Sequence, residues 1–133
     1  MLLLAGNAPP PSASVEVQLS GARSSRGVIR LCLTANRAHF LHCERDPAAR
    51  SVTLPASAST AEISGLAAGT YALAVLHDEN GNGRLDTMLG IPREGFGFSR
   101  NPAIRMGPPR WEEVRFDLSN GAIRQPVRLR YLL

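Results

Sequence analysis

Brief segments that alternate apolar and polar residues, each stopped by glycine or proline, constrain this chain to an architecture of many short strands. Residues 15–19 (VEVQL) have the period of two that a half-buried strand requires. Residues 27–33 (GVIRLCL) follow a flexible Ser24-Ser25-Arg26 and are rich in strand-favouring side chains. A further short strand is expected over 40–43. Residues 51–54 stop at Pro55 and 60–63 stop before Gly65, so both are expected to form brief strands. Near the C-terminus, 113–118 and 126–132 alternate on either side of a Ser119-Asn120-Gly121 turn. The expectation is an all-β protein, an immunoglobulin-like or transthyretin-like antiparallel β-sandwich of about seven or eight strands with one long ordered loop.

Length agrees with this. A chain of 133 residues is long enough to bury one core but not two sizeable ones, so 14–133 is expected to form a single sandwich domain after a 1–13 lead-in. Residues 1–8 are apolar and rich in small side chains, like the end of a signal peptide, and Pro9, Pro10 and Pro11 make a stiff continuation. No segment has the roughly 20 consecutive apolar residues of a membrane helix. The 1–8 segment could equally be a miscalled start or an unprocessed N-terminus; a periplasmic or extracellular location is the expectation if it is the remnant of an export signal.

The strand over 70–76 has a more specific signature. A glycine turn leads into Tyr71, the placement of a corner tyrosine whose phenol bonds to nearby backbone while its ring packs on the core. Apolar residues occupy both faces of the strand, which places it centrally. Cys32 and Cys43, 11 residues apart with a turn expected near Asn36 and Arg37, suit a disulfide. His39 and His42 lie close by, but the four residues lack the paired spacing of structural zinc.

From Asp78 to Arg110 no helix or strand period is sustained, which marks a functional loop. Its first part, His77-Asp78-Glu79-Asn80-Gly81-Asn82-Gly83-Arg84-Leu85-Asp86, places oxygen-bearing side chains at alternate positions around a glycine, as calcium loops do. Asp78, Asn80, Asn82, the Arg84 carbonyl and Asp86 are the candidate ligands, with Glu94 as a possible additional one. Glu79 is expected to point outward. Leu89 stands where an EF-hand carries its bidentate glutamate, so weak calcium affinity is expected, about 10⁻⁴ to 10⁻³ M. Glu94 could instead bond loop amides, and the Asx and Gly residues could form a turn that needs no metal. Ser99 with His77 as base lacks both a nucleophile elbow and an orienting acid, so no catalytic residue is assigned.

Residues 65–76 (GLAAGTYALAVL) with 77–101 (HDENGNGRLDTMLGIPREGFGFSRN) resemble the bacterial domain-of-unknown-function family numbered 2141. The resemblance covers about 15–132 and implies an exported sandwich protein with no established activity. Phe96, Phe98 and the arginines around them suit a surface for an envelope protein or a glycan, although such aromatics also serve as anchors. The formal charge is +4, but the basic residues, all arginine, are scattered and no nucleic-acid motif is present. The alternatives are a purely structural sandwich without metal and a transthyretin-like hydrolase such as a hydroxyisourate hydrolase. The latter enzymes end in a Tyr-Arg-Gly-Ser-like tetrapeptide, where this chain has Arg130-Tyr131-Leu132-Leu133. Oligomeric state is left open.

Overall fold

The computed structural model describes residues 11–83, 87–88, 91–103, 105 and 107–132. Most of the expected strands form two sheets, but the last runs Gly121–Arg128 and not 126–132, so it begins at Gly121, a residue expected in the turn. One has the order β10-β1-β4, from β10 (Gly121–Arg128), β1 (Ala13–Ser20) and β4 (Thr60–Leu66). The other runs β3 (Arg50–Pro55), β2 (Val28–Thr34), β5 (Gly69–Asp78), β8 (Gly95–Phe98), with β9 (Phe116–Leu118) also pairing with β5. A separate ribbon pairs β6 (Thr87–Met88) with β7 (Ile91–Pro92). All strand pairs are antiparallel except β1 with β10, which run parallel.

Alternation places one face of each sheet in a shared core. Val15 and Val17 of β1, Ile63 of β4 and Val127 of β10 meet Ile29, Leu31 and Leu33 of β2, Leu73 and Val75 of β5, and Phe116 and Leu118 of β9. This is sandwich packing, with burial of apolar area from both sheets as its main source of stability. β5 is central, as expected. Tyr71 Oη donates to the Ala67 carbonyl at 2.7 Å while its ring packs on the core, so it fulfils the corner role.

Three local expectations are corrected. Residues 40–43 are not a strand but part of a 3₁₀ helix, Arg37–Arg45, whose cap Asn36 accepts from the Ala38 amide. Phe40 and Cys43 face inward from it, and Cys43 is joined to Cys32 of β2 with Cα atoms 6.0 Å apart. The disulfide therefore pins this helix to the outer face of the β2–β5 sheet and takes both thiols out of any zinc site. Residues 113–115 are likewise not strand, because a helical turn α1 (Trp111–Val114) precedes β9. Glu113 caps it by accepting from the Arg110 amide at 2.9 Å. Finally, the region after Asp78 contains β8, paired with β5 from Ala74↔Phe98 to His77↔Gly95.

Glycine explains how β8 fits. A Cβ at Gly95 would stand 2.4 Å from the Tyr131 ring, and one at Gly97 would stand 2.7 Å from Val127 Cγ1 and 2.9 Å from the Arg128 carbonyl oxygen. Their absence lets β8 approach the other sheet, where Phe96 and Arg130 exchange backbone hydrogen bonds of 3.0 and 2.8 Å and close one side of the sandwich. On the outer face, Phe98 and Trp111 pack with the buried Phe40, Ala72 and Val114.

Candidate functional site

The strand β5 ends at Asp78, and its outer-face position puts this side chain diagonal to Arg30 on β2. Asp78 is fully buried, yet every interaction around its carboxylate favours charge. Oδ2 accepts from the Gly83 amide at 2.7 Å and from Arg30 Nε at 3.0 Å, and Oδ1 accepts from the Asn82 amide at 3.1 Å. Burial would push the Asp78 carboxyl up, but the Gly83 and Asn82 amides and the Arg30 guanidinium together hold it below its ordinary value. The Asn82 amide also lies 3.1 Å from Asn80 Oδ1. The chain after β5 therefore curls round one carboxylate. Gly27 is the other requirement: its φ is +71°, and a Cβ there would overlap the Asp78 carbonyl.

Of the sequence-derived candidates, Asp78, Asn80 and Asn82 are brought together by these bonds, whereas Arg84 and Asp86 lie outside the described residues. Glu94 is nearly buried and its Oε2 accepts from the Glu79 amide at 2.7 Å, so it braces the loop through backbone.

Glu79 corrects the sequence expectation, for it does not point outward. Its side chain is only 9% exposed. Oε1 accepts from Arg23 Nε at 3.0 Å and Nη2 at 2.6 Å, and Oε2 from Ser24 Oγ at 2.7 Å and Arg26 Nη2 at 3.1 Å. These donors, Arg23 foremost, hold the Glu79 carboxyl down at about 2 against the opposition of burial. Arg23 also donates to the Arg93 carbonyl at 3.0 Å and lies over the Tyr131 ring, 4.5 Å from its centroid. Arg23, Arg26, Glu79, Asn80, Arg93 and Glu94 line an open cavity of about 270 Å³ beside the loop. Arg23 and Arg26 lie more than 50 positions before Glu79, so no local sequence pattern linked them; the flexible Ser24-Ser25-Arg26 stretch was the only signal.

The residues with chemistry nearest the loop are spent on structure. His77 is fully buried on the inner face. Its Nε2 lies 2.8 Å from the Arg26 carbonyl, which can only accept, so Nε2 carries a proton; Nδ1, 2.7 Å from Tyr131 Oη, then accepts from the phenol. Tyr131 Oη in turn accepts from the Arg23 amide at 3.0 Å, and burial pushes the Tyr131 phenol up. Ser99, also fully buried, donates to the Val114 carbonyl at 2.6 Å and accepts from the Leu73 amide at 3.1 Å. Ser99 is thus beside Leu73, four residues or roughly 13 Å along β5 from His77. The two cannot act as a nucleophile and its base in this arrangement. Among the described residues no cluster of three or more His, Cys, Asp or Glu side chains forms a metal-binding group, and no helix is long and apolar enough to cross a membrane.

A family model described as an uncharacterized protein conserved in bacteria, DUF2141, matches residues 17–125. The chain belongs to this family. The matched span starts within β1 and ends within β10, so the DUF2141 region includes Asp78, Glu79, the loop residues up to Gly83, Glu94 and both cysteines. Of the residues that surround Glu79, Arg23, Ser24 and Arg26 fall inside it, while Tyr131 follows it. No match was found among curated proteins, and none among solved structures.

Proposed function

We propose that this member of the family is a noncatalytic binding or structural module of the bacterial cell envelope, periplasmic or extracellular, in which a weakly held calcium ion stiffens the loop after β5. The observation that carries the reading is the place of Asp78. It is buried where the strand ends and draws the amides at positions 82 and 83 towards one carboxylate, which is how the first residue of an oxygen-ligand loop curls the chain. An ionised carboxylate has about four lone-pair directions, and the three bonds described use three of them. A cation on the fourth would join Asn80, Asn82, the Arg84 carbonyl and Asp86, with Glu94 as a possible further ligand. The disulfide supports an oxidising compartment, and the saturation of His77 and Ser99 supports a noncatalytic role. The stiffened loop would present a surface to an envelope protein or a glycan.

Calorimetric titration of EDTA-stripped protein with calcium is the direct test. One site with a dissociation constant of about 10⁻⁴ to 10⁻³ M, lost in Asp86→Ala, supports the reading. No heat of binding up to 10 mM (about ten times the weaker constant) refutes it. Asp86 is the better target because removal of Asp78 would also break its bonds to backbone and Arg30. One observation favours a second reading, a metal-free structural sandwich: Arg30 already places a positive charge 3.0 Å from Asp78 Oδ2.

A further inference from the structure

We infer that the arginine-lined cavity beside Glu79 binds the carboxylate group of a small ligand. The cavity shares Asn80 and Glu94 with the proposed calcium loop but needs no metal. Its walls already show how a carboxylate is held there, because the Glu79 side chain receives two bonds from Arg23, one from Arg26 and one from Ser24. The bonds from Arg23 to Glu79 and to the Arg93 carbonyl hold its guanidinium in place before any ligand arrives, which lowers the ordering cost of binding. Arg26 is 75% exposed and makes one described bond to Glu79 out of five possible donations, and Arg93 is an exposed residue of the same lining.

Charge selects the ligand class. The described lining residues include three arginines and two glutamates, a surplus of one positive charge among them. A single carboxylate matches that surplus, whereas a phosphate dianion would meet added repulsion from Glu79 and Glu94. The cavity, about 270 Å³ and open to solvent, has room for the carboxylate and the few heavy atoms next to it, with the rest of a ligand lying outside. The planar fork of each guanidinium favours two parallel bonds to a carboxylate, so the amide of the same molecule should be a poor substitute.

The test uses acetyl-alanyl-alanine with a free C-terminal carboxylate, the same dipeptide as its carboxamide, and inorganic phosphate. Amide chemical shifts of the full chain are followed by NMR at low salt in EDTA, so that failure of the calcium reading does not affect the result. The expected result is saturable shifts confined to residues 23–26, 79–80 and 93–94 with the carboxylate. Affinity should be about tenfold weaker or worse for the carboxamide and for the Arg93→Gln protein. Arg124→Gln, on β10 and paired with Glu16, should bind as the unaltered protein does. Arg93→Gln leaves the backbone carbonyl that holds Arg23, and an unchanged spectrum elsewhere confirms its fold. Absence of saturable shifts, equal binding of the carboxamide, tighter binding of phosphate, or unaltered affinity in folded Arg93→Gln would each overturn the assignment.

Discussion

Replacing Glu79 with glutamine keeps the shape of the side chain and removes its charge, so it isolates what the ring of donors around that carboxylate contributes. A carboxyl held at about 2 in the folded protein against an ordinary 4.5 corresponds to at most about 3.4 kcal/mol. Arg23 and Arg26 are 39% and 75% exposed, however, and solvent screens much of their attraction. About 1–2 kcal/mol is the expected loss at pH 7, or a fall of roughly 3–10 °C in the unfolding midpoint for a chain of this size. The pH dependence follows from the direction of the shift. Because the folded-state value lies below the unfolded one, the contribution is complete above about pH 5 and is lost as pH falls through about 2. Urea denaturation of both proteins in EDTA at pH 7, 4.5 and 2 reads the difference directly, and charge effects elsewhere cancel in the comparison. The stability gap should be largest at pH 7 and should close at pH 2. A gap that stays constant over this range would refute the electrostatic account of Glu79, and so would no gap at pH 7.

Three further substitutions probe the frame around the loop. Gly97→Ala should cost about 2 kcal/mol or more in urea denaturation, because the new methyl meets a backbone carbonyl that cannot rotate away. Replacing both cysteines with serine should cost about 2–3 kcal/mol from loss of an 11-residue closure, and limited trypsin digestion should then cut at Arg37 and Arg45 sooner. Phe98→Ala should destabilise by about 3 kcal/mol, through lost contact with Phe40 at a centroid distance of 6.4 Å, and Phe96→Ala by less. Equal losses at the two positions would count against Phe98 as the anchor of the outer-face cluster.

The strands that alternate cleanly were legible because each buries one face. β1, β2, β3, β4 and β5 lie within a few residues of their expected bounds. What stayed hidden had a tertiary cause. The Gly-Phe-Gly-Phe period of β8 looks like loop because its inward positions are glycine, and the nearness of Tyr131 and Val127 explains that choice. Residues 37–45 carry apolar side chains at irregular intervals, and their helical form is fixed by the Asn36 cap and the bond from Cys43 to Cys32. In the site, Asp78 could be recognised from spacing, since its amide partners lie four and five residues ahead. The partners of Glu79 could not, because they come from the segment before β2 and meet it only when β2 pairs with β5. Tyr131 is expected in the last strand, but β10 ends at Arg128 and Tyr131 lies beyond it, where its bond to His77 depends on how the chain continues.

The proposed binding of calcium to the folded loop can be read from thermal unfolding. With a dissociation constant of about 10⁻⁴ to 10⁻³ M, 10 mM calcium should stabilise the folded chain by about 1.4–2.7 kcal/mol over EDTA. That is a rise of about 4–12 °C in the midpoint, absent in Asp86→Ala. Equal midpoints in EDTA and in calcium for the unaltered protein would contradict the proposal and leave the loop as a metal-free turn held by Asp78, Asn80 and Glu94.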